Sequence, residues 1–198
     1  MTAPVVVRER PIVFRGAMVR AILAGTKTQT RRVIRLPGYV IGERDDGTPW
    51  PYYAAHAAGD EHSPWAPCPY GVTGDRLWVR ETLERGNLVT GAVERTDGVY
   101  YRADGEVVAP EAVWVWWQRD TLPAWFCPRW ASRITLEITG VRVERVQDIS
   151  EADARAEGVP EAASVGKFRQ LWDAIHTGPN WWDGNPWVWV LEFRRLTP

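Results

Sequence analysis

The segment Gly25-Thr26-Lys27-Thr28-Gln29-Thr30-Arg31-Arg32 gathers an amine, three hydroxyls, an amide and two guanidiniums. Lysine and arginine donors hold phosphate or polarise a carbonyl. A hydroxyl beside an amine is the minimum for an activated nucleophile. A polar turn without chemistry accounts for the same residues, and on spacing alone both readings stand. Glu81 is the second candidate. In Asp75-Arg76-Leu77-Trp78-Val79-Arg80-Glu81 the alternation puts its carboxylate on the face of Leu77 and Val79. A carboxylate there is costly to bury unless paired, and Lys27 or an arginine of the first segment is the expected partner. Burial would raise its pKa and a cation would lower it, which suits proton transfer; the alternative is a strand end in solvent.

Tryptophan supplies the third set. Thirteen indoles occur in the chain, and bases stack on indole faces at roughly 1–3 kcal/mol each. Trp172, at helical spacing, reads as core, as does one face of the last strand. Trp125, Trp130, Trp181 and Trp182, on loops rich in glycine and proline, read as an exposed platform. Trp187 and Trp189 stand beside Asn185-Pro186. His56, His62 and His176 share no ligand spacing with each other or with Cys68 and Cys127, so no metal site is expected. Neither a phosphate-binding glycine loop nor a Gly-x-Ser-x-Gly elbow is present. The two cysteine-proline pairs read as structural turns.

Several elements must position these groups. A short strand is expected over Pro11–Phe14. Ala17, Met18, Ala21, Ile22 and Ala24 then recur at helical spacing, with Gly25 as C-terminal cap. A strand follows near Val33 and Ile34. Residues 36–74, with six prolines and little periodicity, read as a long irregular insertion held in part by Trp50, Tyr52, Tyr53 and Trp65. A second insertion over 86–126 reads as a β-hairpin turning at Asp104-Gly105, followed by Trp114, Trp116 and Trp117. Ile134, Leu136 and Ile138 share a strand face, and Gly140 suggests a bulge or bend between two strands. Ser150 with Asp153 resembles a capping box for a short helix ending at Gly158. Phe168, Leu171, Trp172 and Ile175 mark a longer helix that Gly178-Pro179 stops. The last strand puts Trp187, Trp189, Leu191 and Phe193 on one face. The strands lack regular crossover helices, so a small mixed barrel with helices outside is expected.

Composition bounds these readings. The chain has 198 residues, 45% of them hydrophobic, enough for one domain with a sizeable core. No apolar run reaches the ~18–20 residues a membrane helix needs. No secretory leader is visible, and two cysteines are too few for a disulfide scaffold, so a cytoplasmic setting is expected. The net charge of −1 hides strong segregation. From Met1 to Arg35 seven arginines and Lys27 face Glu9 alone, a local charge of +7; Val143 to Glu161 carries −4. A basic segment of this kind suits phosphate or RNA, and an arginine-rich surface without a partner is the other reading.

The order Gly25-x-Lys27-x-x-Thr30-x-Arg32 resembles the signature of the ASCH domain, a PUA-like barrel. Its place after the first helix is the expected one. The block ending in Glu81 is similar to that family's second block, and Asn185–Phe193 to its closing block. The stretches MVRAILAGTKTQTRR, CPYGVTGDRLWVRET and PRWASRITLEITGVRVERVQDIS resemble phage and prophage members. This implies a single α+β domain over residues 10–198, with two or three helices flanking the barrel. Some small ASCH proteins are amidohydrolases that deacetylate N4-acetylcytidine through a lysine, a threonine and a glutamate. By motif position these are Lys27, Thr30 and Glu81: Thr30 attacks, Lys27 assists its deprotonation or polarises the carbonyl, and Glu81 shuttles the proton. Arg32 or Arg76 would hold ribose or phosphate. Trp78, Trp130 and Trp187, with Asn185, complete the substrate-binding residues expected from the resemblance. The implied partner is a nucleoside or RNA, with no cofactor, metal or membrane. This chain is much longer than the small amidohydrolases. An RNA-binding module without turnover, a phage assembly factor and a ribonuclease are the alternatives.

Overall fold

A computed structural model describes residues 6–53, 65–85, 88–90, 93–95, 98–109, 119–159 and 164–197. In chain order the strands and helices are β1 (Glu9–Val13), α1 (Gly16–Leu23), β2 (Gln29–Val33), β3 (Tyr39–Glu43), β4 (Pro49–Tyr53), β5 (Arg76–Arg80), β6 (Leu83–Arg85), β7 (Leu88–Thr90) and β8 (Val93–Arg95). They continue with β9 (Val99–Tyr101), β10 (Val107–Ala109), β11 (Thr121–Leu122), β12 (Thr135–Arg145), α2 (Glu151–Ala156), α3 (Ser164–Asp173) and β13 (Trp187–Leu196). The class is α+β, mostly sheet with three α-helices among the described residues. The described strands form four sheets, none closed into a barrel. Hairpin β3–β4 forms a sheet of its own, as does β7–β8. No described helix is long and apolar enough to cross a membrane.

The chain divides into two compact units, each built from separate segments. The first holds residues 1–26, 75–137 and 195–198. Here β1 runs parallel to β5, with Glu9 opposite Arg76 and Val13 opposite Arg80. The start of β12 is antiparallel to β5, with Thr135 opposite Trp78. In α1 Ile22 is buried as expected and Val19 joins it, whereas the expected Ala17 and Ala24 are exposed. Larger side chains gain more from burial, about 1.5–3 kcal/mol each. The helix ends at Gly25, as the sequence suggests, with φ at +74°. The hairpin β9–β10 turns at Asp104-Gly105, also as expected. Its Val99 and Tyr101 join Leu83, Leu122, Cys127 and Ala131 in a core.

The second unit holds residues 27–74 and 138–194. Strand β13 is antiparallel to β2, so Leu191 lies opposite Thr30 and Trp189 opposite Arg32. One face of this pair, through Val188 and Val190, packs on Phe168, Trp172 and Trp182. Four expectations are corrected here. Residues 36–74 are not irregular throughout, because Tyr39–Glu43 and Pro49–Tyr53 pair as an antiparallel hairpin. The two strands expected around Gly140 are one, β12. A Cβ at Gly140 would lie 2.8 Å from a Glu192 carboxylate oxygen, so this glycine admits a close approach. Ile175 lies beyond the end of α3 and is exposed. Trp182, only 9% exposed, belongs to the core rather than to a platform. Ser150 caps α2 by accepting from the Asp153 N–H at 3.0 Å. The expectations for Trp114, Trp116, Trp117, His56 and His62 lie outside the described residues.

A substitution at Gly25 tests the reading of its backbone. No atom lies within 4 Å of a Cβ built there, so Gly25→Ala meets left-handed strain without a clash. The expected loss is about 1 kcal/mol, and Gly25→Asn, which tolerates this conformation better, loses less. Chemical denaturation measures both.

Candidate active site

Lys27 is positioned by backbone pairing with the end of α2. Its neighbour Thr28 donates its N–H to the Ala156 carbonyl at 2.8 Å, and Lys27 and Glu157 form an antiparallel bridge. Only 3% of Lys27 is exposed. Its ammonium donates to the Gln29 carbonyl at 2.8 Å, to the Glu157 carbonyl at 2.9 Å and to Glu157 Oε2 at 2.6 Å. Three acceptors match the three N–H donors of the charged amine. Burial nevertheless dominates: desolvation lowers the Lys27 pKa from 10.5, and the Glu157 charge and hydrogen bond offset this only in part. Arg32 and Arg31, both cationic, push in the same direction as burial.

Arg31 extends the cluster. Its fully buried guanidinium donates to Glu144 at 2.9 Å through Nε and, through Nη1, to Gln29 at 2.8 Å and Glu157 at 3.3 Å. Its Nη2 lies 3.3 Å from an Asp153 carboxylate oxygen. Arg142 joins from β12, bonding Glu144 at 3.0 Å, Asp153 at 3.2 Å and Glu192. The four carboxylates Glu144, Asp153, Glu157 and Glu192 thus face Lys27, Arg31, Arg142 and the electrostatic neighbour Arg32. This alters the reading of the +7 segment. Two of its cations are neutralised inside the fold by acids of the −4 segment, so the segment as a whole is not an open anion site.

Alternation places Thr30 and Arg32 on the sheet face opposite Gln29 and Arg31. Thr30 is buried opposite Leu191. Desolvation lowers the Arg32 pKa, with the Tyr70 phenol and Glu157 opposing; Tyr70 is itself pushed up by burial. Thr30 and Arg32 thus share one face of β2 and Gln29 and Arg31 the other, while Lys27 precedes the strand.

Glu81 follows β5 in the other unit and is 2% exposed, so it is not a strand end in solvent. The expected partner from the first segment is corrected as well. The Arg133 guanidinium grips the carboxylate with both arms, Nε to Oε1 at 3.1 Å and Nη2 to Oε2 at 2.8 Å. The same guanidinium reaches Asp104 at 2.9 Å and Glu106, and stacks 3.8 Å from the Tyr101 ring centroid. Desolvation raises the Glu81 pKa; Arg133 opposes this, and the Asp104 and Glu106 charges reinforce it. A buried carboxyl that holds its proton more firmly than usual is a competent general acid.

The substrate-binding candidates separate. Arg76 is exposed and 3.9 Å from Glu9, a weak surface pair. Trp78 is buried, with the Arg80 and Arg129 guanidiniums 4.7 and 5.9 Å from its ring. Trp130 is exposed, as is Trp125 at 72%. Asn185 occupies a left-handed turn (φ 41°) and its amide oxygen accepts from the Gln147 N–H at 3.1 Å. Trp187 lies under the Arg145 guanidinium at 4.2 Å. Glu157, Arg133 and Tyr70 went unselected. Glu157 was hinted at by the charge segregation, whereas Arg133 and Tyr70 carried no pattern of their own.

The Lys27 pair predicts a pH effect. Between the lowered folded pKa and 10.5, the unfolded chain binds the lysine proton more firmly than the fold does. Stability attributable to Lys27 therefore rises with pH across that window. In denaturant titrations, wild type minus Lys27→Met shows this rise, and the variant alone lacks it. Compared with known proteins, the chain matches no family model, no curated protein and no solved structure.

Proposed function

We propose that this chain is an ASCH-type protein with a PUA-like barrel, and that it hydrolyses the exocyclic amide of an N4-acylated cytidine. The reading is supported above all by Lys27, an amine buried against Glu157 whose proton is held less firmly than in water. Transfer of one proton from Nζ to Glu157 Oε2 leaves a neutral pair and a free lone pair on the amine. That amine takes the Thr30 hydroxyl proton as Thr30 Oγ1 bonds to the acyl carbon. Collapse of the tetrahedral adduct breaks the C–N bond. In this proposal the Lys27 ammonium so formed passes that proton to the leaving amine. Water then hydrolyses the threonyl ester and restores both groups. Every step is acid–base or acyl transfer, so no cofactor is called for.

A second reading, RNA binding without turnover, is supported by the aromatic surface of the first unit. Trp125, Phe126 and Trp130 are exposed there, and Arg80 donates to the Trp125 carbonyl at 3.0 Å. Stacking faces beside guanidiniums are what single-stranded nucleic acid requires.

Incubation with N4-acetylcytidine and longer N4-acyl analogues decides between them. Wild type is expected to turn over at least one member of the panel. Thr30→Val, which keeps the shape of the side chain, is expected to lose about 10³-fold in kcat/KM with little change in melting temperature. No turnover across the panel, or undiminished turnover in Thr30→Val, contradicts the hydrolase.

A further inference from the structure

The first insertion builds a pocket of its own. A cavity of about 300 Å³ opens among Arg44, Trp50, Trp65, Cys68, Thr73 and Val141. That volume is the lower end of small-molecule sites, enough for one ring system with a short substituent. Its walls are held from behind. The Trp50 indole donates to the Ala66 carbonyl at 2.8 Å and packs edge-on against Trp189 at 5.0 Å. Trp65 is tied to the hairpin by a bridge to Tyr52 and an edge-on ring contact at 5.7 Å. Gly42 makes room for this arrangement, since a Cβ there would lie 2.6 Å from the Tyr52 ring.

Arg44 stands between the two indoles, its guanidinium carbon 3.6 Å from the Trp50 centroid and 5.6 Å from that of Trp65. Its Nε is buried with no hydrogen-bond partner among the described residues. A buried N–H of a charged group left unsatisfied is costly, and an acceptor brought by a ligand removes that cost. The acid that Arg44 influences electrostatically, Asp46, is exposed at the hairpin turn, where its Oδ1 accepts from the Thr48 N–H at 3.0 Å. Trp65 remains 38% exposed at the lining, so part of an indole face is available to a ring. These features ask for two things in one ligand: a flat π-system and an oxyanion.

We propose that this pocket binds a planar aromatic ring carrying a single oxyanion, with the ring against Trp65 and the oxyanion on Arg44. It is a binding site separate from Lys27 and Thr30, and it does not depend on the hydrolase reading. The pre-set stack on Trp50 holds the guanidinium in place, so little rotamer freedom is lost on binding.

Calorimetric titration with AMP, CMP and 4-hydroxybenzoate, against adenosine, benzyl alcohol and inorganic phosphate, tests this. Saturable binding of a nucleotide or of the benzoate supports the site, and which of them binds identifies phosphate or carboxylate as the anion. Arg44→Ala and Trp65→Ala are each expected to weaken that binding about tenfold or more, and Arg44→Lys to restore it only in part. Thr30→Val is expected to bind as wild type does. Absence of binding by every ringed anion overturns the proposal. So does equal affinity for adenosine or for phosphate alone, indifference to Arg44→Ala, or loss of binding in Thr30→Val. Failure of deacylation in the previous experiment leaves all these outcomes readable.

Discussion

The buried contact between Lys27 and Glu157 is the interaction on which the second unit turns. An amine at this depth carries a large desolvation penalty, and a single carboxylate does not remove it. The fold answers with geometry. A backbone bridge fixes Lys27 against Glu157, and two carbonyls use the remaining N–H groups. Arg31 then needs its own acids, which Glu144 and Asp153 supply, and Arg142 balances those. Each addition is required by the previous one. Breaking such a network by removing one member costs about 3–5 kcal/mol, so the cluster ties β2, β12 and α2 into one arrangement.

The same network explains why net charge was a poor guide. Segregated charge in a sequence is usually taken as a sign of an external partner. Here Lys27 and Arg31 from the basic stretch meet Glu144, Asp153 and Glu157 from the acidic one. The two segments offset each other in the net charge, and the fold brings part of each together internally. Arginine supplies the points where a planar fork must reach several acids; lysine stands where one compact ammonium is enclosed by three acceptors.

Local pattern made much of the scaffold legible. Alternation in Arg76–Arg80 and Trp187–Phe193, the glycine after α1, the Asp104-Gly105 turn and the Ser150 cap each report a constraint that acts within a few residues. The misses share a cause. Hairpin β3–β4 was hidden because Pro49 and Pro51 mask the alternation of its second strand. Ala17 and Ala24 fit helical spacing with Ile22, yet the bulkier Val19 takes the buried place beside it. Glu81 was recognisable as a buried acid from its strand face, yet its partner Arg133 comes from 52 positions away. Long-range pairing of this kind leaves no spacing to read. Trp182 followed the ordinary fate of indoles, burial, despite its glycine-rich loop.

The central claim is that the fold makes Lys27 a weaker base than a free lysine. The chain contains two lysines, Lys27 and Lys167, and Lys167 is exposed on α3. Uniform labelling of lysine with nitrogen-15 therefore gives two side-chain resonances, and loss of one in Lys27→Met assigns the pair. Followed by NMR from neutral to alkaline pH, the Lys27 Nζ signal should titrate with a midpoint below 10.5. In Glu157→Gln, which removes the opposing charge, the midpoint should fall further. A wild-type midpoint at or above 10.5, or a rise on removing the Glu157 charge, contradicts the account.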